Sequence, residues 1–420
     1  MGVTAFSQRR TVWVALVLVM VIIAGLAVFI WLSPLASQIP LRAGSPCMHA
    51  GLTRAVAAAQ DGAVITLDCE EPLMLFTASI VIDRPISLEG GGVMVLDAVP
   101  DDGIATRFFD VVAGGDLTLS GFTLQNGSSS AGAAIRVTEG GTAHIIGSTF
   151  TGNTGSRGGA IAVIGDADTA DETFLEVERS MFTSNTGVTG GAIHADSATF
   201  EIRDSTFTEN ATTGVEGRGG AVYVGVVADE SEYVIADSVF EGNVADEGGA
   251  VYQEDGVLRI TGSSFTANEA RISGGGVFIS DVISDNRQMI ITSSTFTDNV
   301  ASTEDFLTGG SAIYTELRQT GVHHLQLTDS VFRGHEQALF LSAPTQDNII
   351  RNNCFSGNTV AVQANTLAND LNRNYWGASD GPSGSGDGGG DQLVGVESEA
   401  LYADFLTSPP ESTPACVVEE

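Results

Sequence analysis

The chain contains no lysine, and all 18 of its basic side chains are arginine. That removes Schiff-base chemistry and the lysine of a phosphate-binding loop from consideration. Positive charge of any kind is scarce: 52 Asp and Glu residues set a formal charge of −34. A nucleic-acid backbone needs a cationic patch, so nucleic acid is excluded as a partner. An acidic surface of this strength favours solubility, cation binding or a saline medium. Cysteine is rare as well, at 4 residues in 420.

What the chain does have is one phrase repeated from Ser148 to Ser356. It reads S-x-F-x-x-N, a short variable piece, G-G-A-[IV], then alternating apolar residues leading back to S-x-F. The phenylalanines are Phe150, Phe182, Phe207, Phe240, Phe265, Phe296, Phe332 and Phe355, with Phe122 as an earlier, less regular member. Their spacing varies from 23 residues (Phe332 to Phe355) to 36 (Phe296 to Phe332). A fixed phrase at uneven spacing means a fixed structural rung joined by loops of variable length. Five and seven residues before each Phe stand further apolar residues, among them Ile202 with Phe200 and Ile260 with Leu258. That is a strand burying one face. Such rungs cannot stand singly; stacked in parallel, they bury the face against one another. The phrase asparagines suit a left-handed bend and an axial amide ladder. The paired glycines, such as Gly190-Gly191 and Gly219-Gly220, suit a sharp corner.

The alternation of F-x-x-N with G-G-A-[ILV] resembles the chlamydial polymorphic outer-membrane proteins and the wider right-handed parallel β-helix superfamily, over roughly Cys47 to Pro410. The resemblance implies an all-β fold, a right-handed parallel β-helix (solenoid) of about eleven coils, about 50 Å long at ~4.8 Å per coil. It implies little about activity, because the fold hosts many functions. Polysaccharide lyases and hydrolases share it, yet the N-T-D, D-D, G-H-G and R-I-K sets of polygalacturonases are missing. So is an Asp-rich strand ladder with a basic partner, as in pectate lyases.

Ahead of the repeat, Thr11 to Leu32 is a run of 22 residues without a charge. As a helix it would be about 33 Å long, enough to cross a bilayer core of about 30 Å. Arg9 and Arg10 precede it and the next basic residue is Arg42, which places the N-terminus in the cytoplasm. The run is longer than the core of a cleaved signal, so an uncleaved single-pass signal-anchor is expected; secretion after signal cleavage is the alternative. The chain then divides into a cytoplasmic N-terminus (1–10), a transmembrane helix (11–33), a linker (34–46) and an N-terminal cap (47–69). A β-helix (70–369), a C-terminal cap (370–408) and a tail (409–420) follow. Within the first cap, Ser45-Pro46 suits a helix start, Asp61-Gly62 a stop, and Ala63 to Leu67 the first strand. An exported chain favours disulfides, and Cys47 with Cys69 and Cys354 with Cys416 are the expected pairs. The segment from Asn374-Tyr375-Trp376-Gly377 to Phe405-Leu406 resembles the closing segment of bacterial β-helix proteins, with Trp376 and Phe405 covering apolar surface.

Candidate sites are few. Asp166, Asp168, Asp171 and Glu172, then Asp229, Glu230 and Glu232, then Asp281 and Asp285, should protrude as an acidic ridge of solvated, mutually repelling turns. Asp380, Asp387 and Asp391 in a glycine-rich stretch form a candidate Ca²⁺ turn, outweighed by the role of those glycines in a cap. His323-His324 point to opposite sides of a strand, and His194 and His335 are single, so each is expected at a surface or turn. No catalytic, cofactor-binding or metal-ligating residue is assigned. The expected function is a membrane-anchored, monomeric, non-catalytic surface scaffold for binding or adhesion, with a polysaccharide or cell-surface protein as partner. A polysaccharide lyase or glycoside hydrolase is the alternative. A self-stacking envelope protein is disfavoured by the capped ends and acidic repulsion.

Overall fold

A computed structural model describes residues 38–41, 47–98, 106–166, 173–225, 232–280, 287–302, 309–316, 323–342, 348–364, 369–396, 398–413 and 416. The expected membrane span lies outside them. Among the described residues no helix is long and apolar enough to cross a membrane.

The chain is a parallel β-helix. A complete coil contributes four short strands, as in Thr142–Ile146, Thr149–Thr151, Thr154–Arg157 and Ile161–Ile164. Stacked coil upon coil, they form four ladders. Among the described residues the first two ladders merge into one 22-stranded sheet, the third is 7-stranded and the fourth 13-stranded. The pairings are parallel, with Ile145 opposite Val177, Phe150 opposite Phe182 and Ile161 opposite Ile193.

The register turns the sequence phrase into interior columns. Phe150, Phe182, Phe207, Phe240, Phe265 and Phe296 stack with centroids 4.7–4.8 Å apart and planes within 4°. Strands in a sheet lie ~4.7–4.9 Å apart, so one ring per coil tiles without gaps. Each buried ring contributes roughly 1.5–3 kcal/mol by burial. The column ends on Trp376, 4.8 Å from Phe355, so the expected covering role of that indole is a stacking role. At the other end Phe150 stands opposite Leu124, itself opposite Leu96. Phe122 is therefore not a member. It occupies the position of Ser148, whose hydroxyl accepts its backbone N–H at 3.3 Å.

Each remaining residue of the phrase has a separate role. The serine hydroxyl accepts the backbone N–H of the preceding coil's serine and donates to the carbonyl two residues before itself. Ser180 N–H to Ser205 Oγ (3.1 Å) and Ser205 Oγ to Arg203 O (2.7 Å) are one such pair. Asn353 replaces serine because its Oδ1 accepts the Ser330 N–H equally well, at 3.0 Å. The phrase asparagines are not the left-handed residues. That conformation falls on the residue before each: Ser184, Glu209, Ala267 and Asp298 have φ of 51–54°. The asparagines instead form the amide ladder: from Asn153 to Asn268 each buried Nδ2 donates to the Oδ1 of the next, and the Asn299 Nδ2 then meets His335 Nε2. The two glycines of each pair also differ in purpose. Gly190 and Gly219 have φ of 65° and 67°, whereas a Cβ on Gly191 or Gly220 would meet the next coil's carbonyl oxygen at 2.0 Å.

The ends are closed. Helix α1, His49–Ala58, buries Leu52 and Val56 over the first coil. Its N-cap is Met48, with no side-chain capping bond; the expected cap Ser45-Pro46 lies outside the described residues. Ala63–Leu67 is a strand, and Gln38–Leu41 pairs with it as an additional outer strand. Both disulfides form, Cys47–Cys69 and Cys354–Cys416. The second ties the tail across the outer face of the second ladder, where Ser412 Oγ also donates to Asp329 Oδ1 at 2.7 Å.

Candidate functional site

Interior residues of a β-helix make the rod; ligands can reach only outward positions. The residue after G-G-A-[IV] is outward, because its neighbours on both sides point to the core. In register, that position reads Arg136, Ala162, His194, Tyr223, Tyr252, Phe278, Tyr314 and Phe340. From His194 to Phe340 the rings stack at 4.8–5.5 Å, a second aromatic column on the outside of the fourth ladder. It is a cluster separate from the main core, and its rings are buried. Ring faces are taken by neighbouring rings, so this column is no platform on which a sugar could stack.

Charged groups gather along its flanks. The Arg218 guanidinium lies over the Tyr252 ring, 5.2 Å from its centroid, and between Glu247 (3.5 Å) and Glu254 (3.7 Å). Tyr223 donates its phenolic hydrogen to Glu254. Burial pushes both phenols well above the ordinary tyrosine range, and for Tyr223 the Glu254 carboxylate adds to it. One coil on, Arg271 pairs with Asp246, whose Oδ2 also accepts the Gly217 N–H at 2.9 Å. The cluster juxtaposes a cation, phenols and carboxylates, and its members engage one another.

The histidines depart from expectation. His194 is buried at the head of the column, its Nδ1 2.9 Å from Thr189 Oγ1, and burial lowers its pKa to about 3. His335 is buried in the amide ladder, between Asn299 (3.4 Å from Nε2) and Asn358 (2.9 Å from Nδ1). Desolvation holds it neutral, with a pKa of about 4. Neither is at the surface, because each fills a slot that a stacked column would otherwise leave empty. His324 follows His323 on a first-ladder strand, His323–Thr328, as expected. His144, not singled out by the sequence, lies outward in the first ladder, 2.6 Å from Glu176 and 3.6 Å from Asp116.

The acidic ridge lies largely outside the described residues: Asp168, Asp171, Glu172, Asp229, Glu230, Asp281 and Asp285 all do. Glu232 instead opens the next first-ladder strand and pairs with Arg259. Of the candidate Ca²⁺ turn, Asp391 is already engaged. Its carboxylate ends the amide ladder, accepting from Gly357 N (3.2 Å), Asn358 N (3.0 Å) and Asn358 Nδ2 (2.7 Å). Burial raises its pKa. Asp380 and Asp387 instead line a cavity of about 300 Å³ in the C-terminal cap, with Glu399, Tyr402 and Phe405. Asp380 accepts the Gly389 N–H at 3.0 Å, and Tyr402 donates to Ser385 O at 2.6 Å.

No family model and no curated protein matches this chain. Among solved structures it is similar to the PL6 family alginate lyase AlyGC, at 15% identity and a TM-score of 0.45. That match covers 70% of this chain and 39% of the other, so the chain spans well under half of that enzyme. The aromatic column was legible in principle, since V-Y, V-Y, V-F, I-Y and L-F follow the glycine pairs or their equivalents. The flanking cluster was not, because Arg218, Glu247 and Glu254 come from different coils.

Proposed function

We propose that the chain is a membrane-anchored, extracytoplasmic β-helix that binds ligands on its outer faces without catalysis. One observation supports this above others: the cluster around Arg218 and Tyr223 is internally consumed. Its arginine is shared by two carboxylates and its phenols are held in their protonated form, so it presents no free base. A charge of −34 repels polyanions, so a neutral or cationic partner, such as a hydroxyl-rich glycan or a basic protein surface, fits best.

A second reading, a polysaccharide lyase or glycoside hydrolase, draws on the same juxtaposition. Elimination from a uronide needs a group that neutralises the sugar carboxylate and a base, and Arg218 with Tyr223 are residues of those types. The full-length protein, incubated with neutral glycans and with polyuronides, separates the two. A binder retains neutral glycan or a basic protein without forming unsaturated or shortened products. Product formation that Tyr223→Phe and Arg218→Met abolish would establish the enzyme reading instead.

A further inference from the structure

We infer that the N-terminal rim of the rod, formed by Met48, Leu73, Leu75 and Val93, rests on the lipid surface of the membrane that anchors the chain. The inference depends on the signal-anchor reading above and extends it to a defined contact.

The four side chains are among the most exposed large apolar groups, at 63%, 51%, 52% and 64%. They lie at one end. Leu73–Phe76 is the first strand of the second ladder and pairs with Pro85–Ala98, the strand that carries Val93. On its other side no described strand pairs with it, whereas its first-ladder counterpart, Ala63–Leu67, is covered by Gln38–Leu41. The Cys47–Cys69 bridge, with a Cα–Cα distance of 5.9 Å, holds Met48 on the same rim.

Chain length brings this rim to the membrane. The uncharged run ends at Leu32, and Gln38 is already paired to the first coil. Six Cα steps at ~3.3–3.6 Å each reach about 22 Å at most, less than half the expected length of the rod. The first coil therefore cannot stand clear of the bilayer, while the last coils can. Charge specifies the lipid. The outward column from Leu73 through Val95 and Thr123 carries no charge and can approach headgroups, whereas Leu75 stands beside Asp97. Asp68, Glu70 and Glu71, exposed beside the rim, oppose anionic lipid, so a zwitterionic surface is the partner.

The test uses the full chain reconstituted into phosphatidylcholine vesicles. The native cysteines are bridged, so a thiol introduced by Leu75→Cys carries an environment-sensitive fluorophore, and Thr297→Cys serves as the distal control. Phospholipid bearing a headgroup-level nitroxide should quench the probe at position 75 about twofold and leave the one at 297 unchanged. Equal quenching at both positions in protein that floats with vesicles overturns the inference and leaves the anchor standing. A probe at 75 shielded from aqueous iodide yet untouched by the lipid nitroxide also overturns it, and identifies a second copy on the open edge. Failure to float overturns the contact and the anchor together.

Discussion

Replacing Asn243 with alanine tests the amide ladder at its centre. Asn243 Oδ1 accepts both the backbone N–H and the Nδ2 of Asn210 at 3.0 Å, while its Nδ2 donates to Phe207 O and Asn268 Oδ1 at 2.9 Å. The side chain is fully buried. Alanine leaves the Asn210 N–H, one Asn210 amide hydrogen and the Phe207 carbonyl buried without partners. Each such group costs ~1–3 kcal/mol, so with partial relaxation the loss is about 3–6 kcal/mol. Asn243→Asp keeps the size and the acceptors but sets a carboxylate against Phe207 O and Asn268 Oδ1, and should cost at least as much. Thr206→Ala, on the outer face of the second ladder, should change stability by less than about 0.5 kcal/mol. A stacked array does not unfold all at once, so hydrogen exchange of the coils from Phe207 to Asn268 is the assay. Protection unchanged within about 1 kcal/mol in Asn243→Ala would refute the claim that the ladder, rather than the apolar columns alone, holds the coils in register.

Acid should destabilise the rod through its buried histidines. His335 and His194 bind protons less readily folded than unfolded, so their contribution is complete above about pH 6.5 and is lost as pH falls toward their folded values, about 4 and about 3. At pH 4 each has been depressed across 6.5 − 4 = 2.5 units, about 3 kcal/mol by linkage. His335→Asn, which completes the asparagine series, should flatten that part of the pH–stability curve; an unaltered slope would count against it. Tyr233 is buried with a hydroxyl that has no hydrogen-bond partner among the described residues. Tyr233→Phe should therefore raise thermal stability, by about 1 kcal/mol, and a fall would show that the hydroxyl is satisfied. Gly220→Ala should cost more than about 3 kcal/mol, because its Cβ would meet the Gly249 carbonyl at 2.0 Å. Gly147→Ala meets nothing within 4 Å and should cost only the ~1 kcal/mol of its left-handed backbone; circular dichroism melts compare the two.

Much of the fold was legible because a β-helix writes each interior column as a recurring letter. Phe, Ile and the glycine pair recur at the same point of every coil, and parallel stacking keeps like beside like. The places where sequence reasoning slipped are those where a letter recurs for a reason that periodicity does not express. Phe122 fits the phrase by spacing, yet interstrand register places it two residues out, in the serine column. The phrase asparagines suit a left-handed turn by propensity, but the turn residue precedes them and their side chains are spent along the axis. His194 and His335 read as isolated surface residues because their partners, Tyr223, Asn299 and Asn358, lie a full coil away.

From the sequence alone came the repeat and the parallel stack, which follow from periodicity and from which residue types tolerate burial, together with both cysteine pairs, expected from export, and a closed C-terminal end, expected from a resemblance. Only the folded chain decided which outward side chains meet. Arg218, Glu247 and Glu254 are brought together by coils whose loops differ in length, so their distance along the chain says nothing of their distance in space. The apolar rim at Leu73 and Leu75 is likewise a fact of where the stack begins: both side chains point outward, and only the folded chain sets their strand at the edge of the second ladder, with no described strand on its other side.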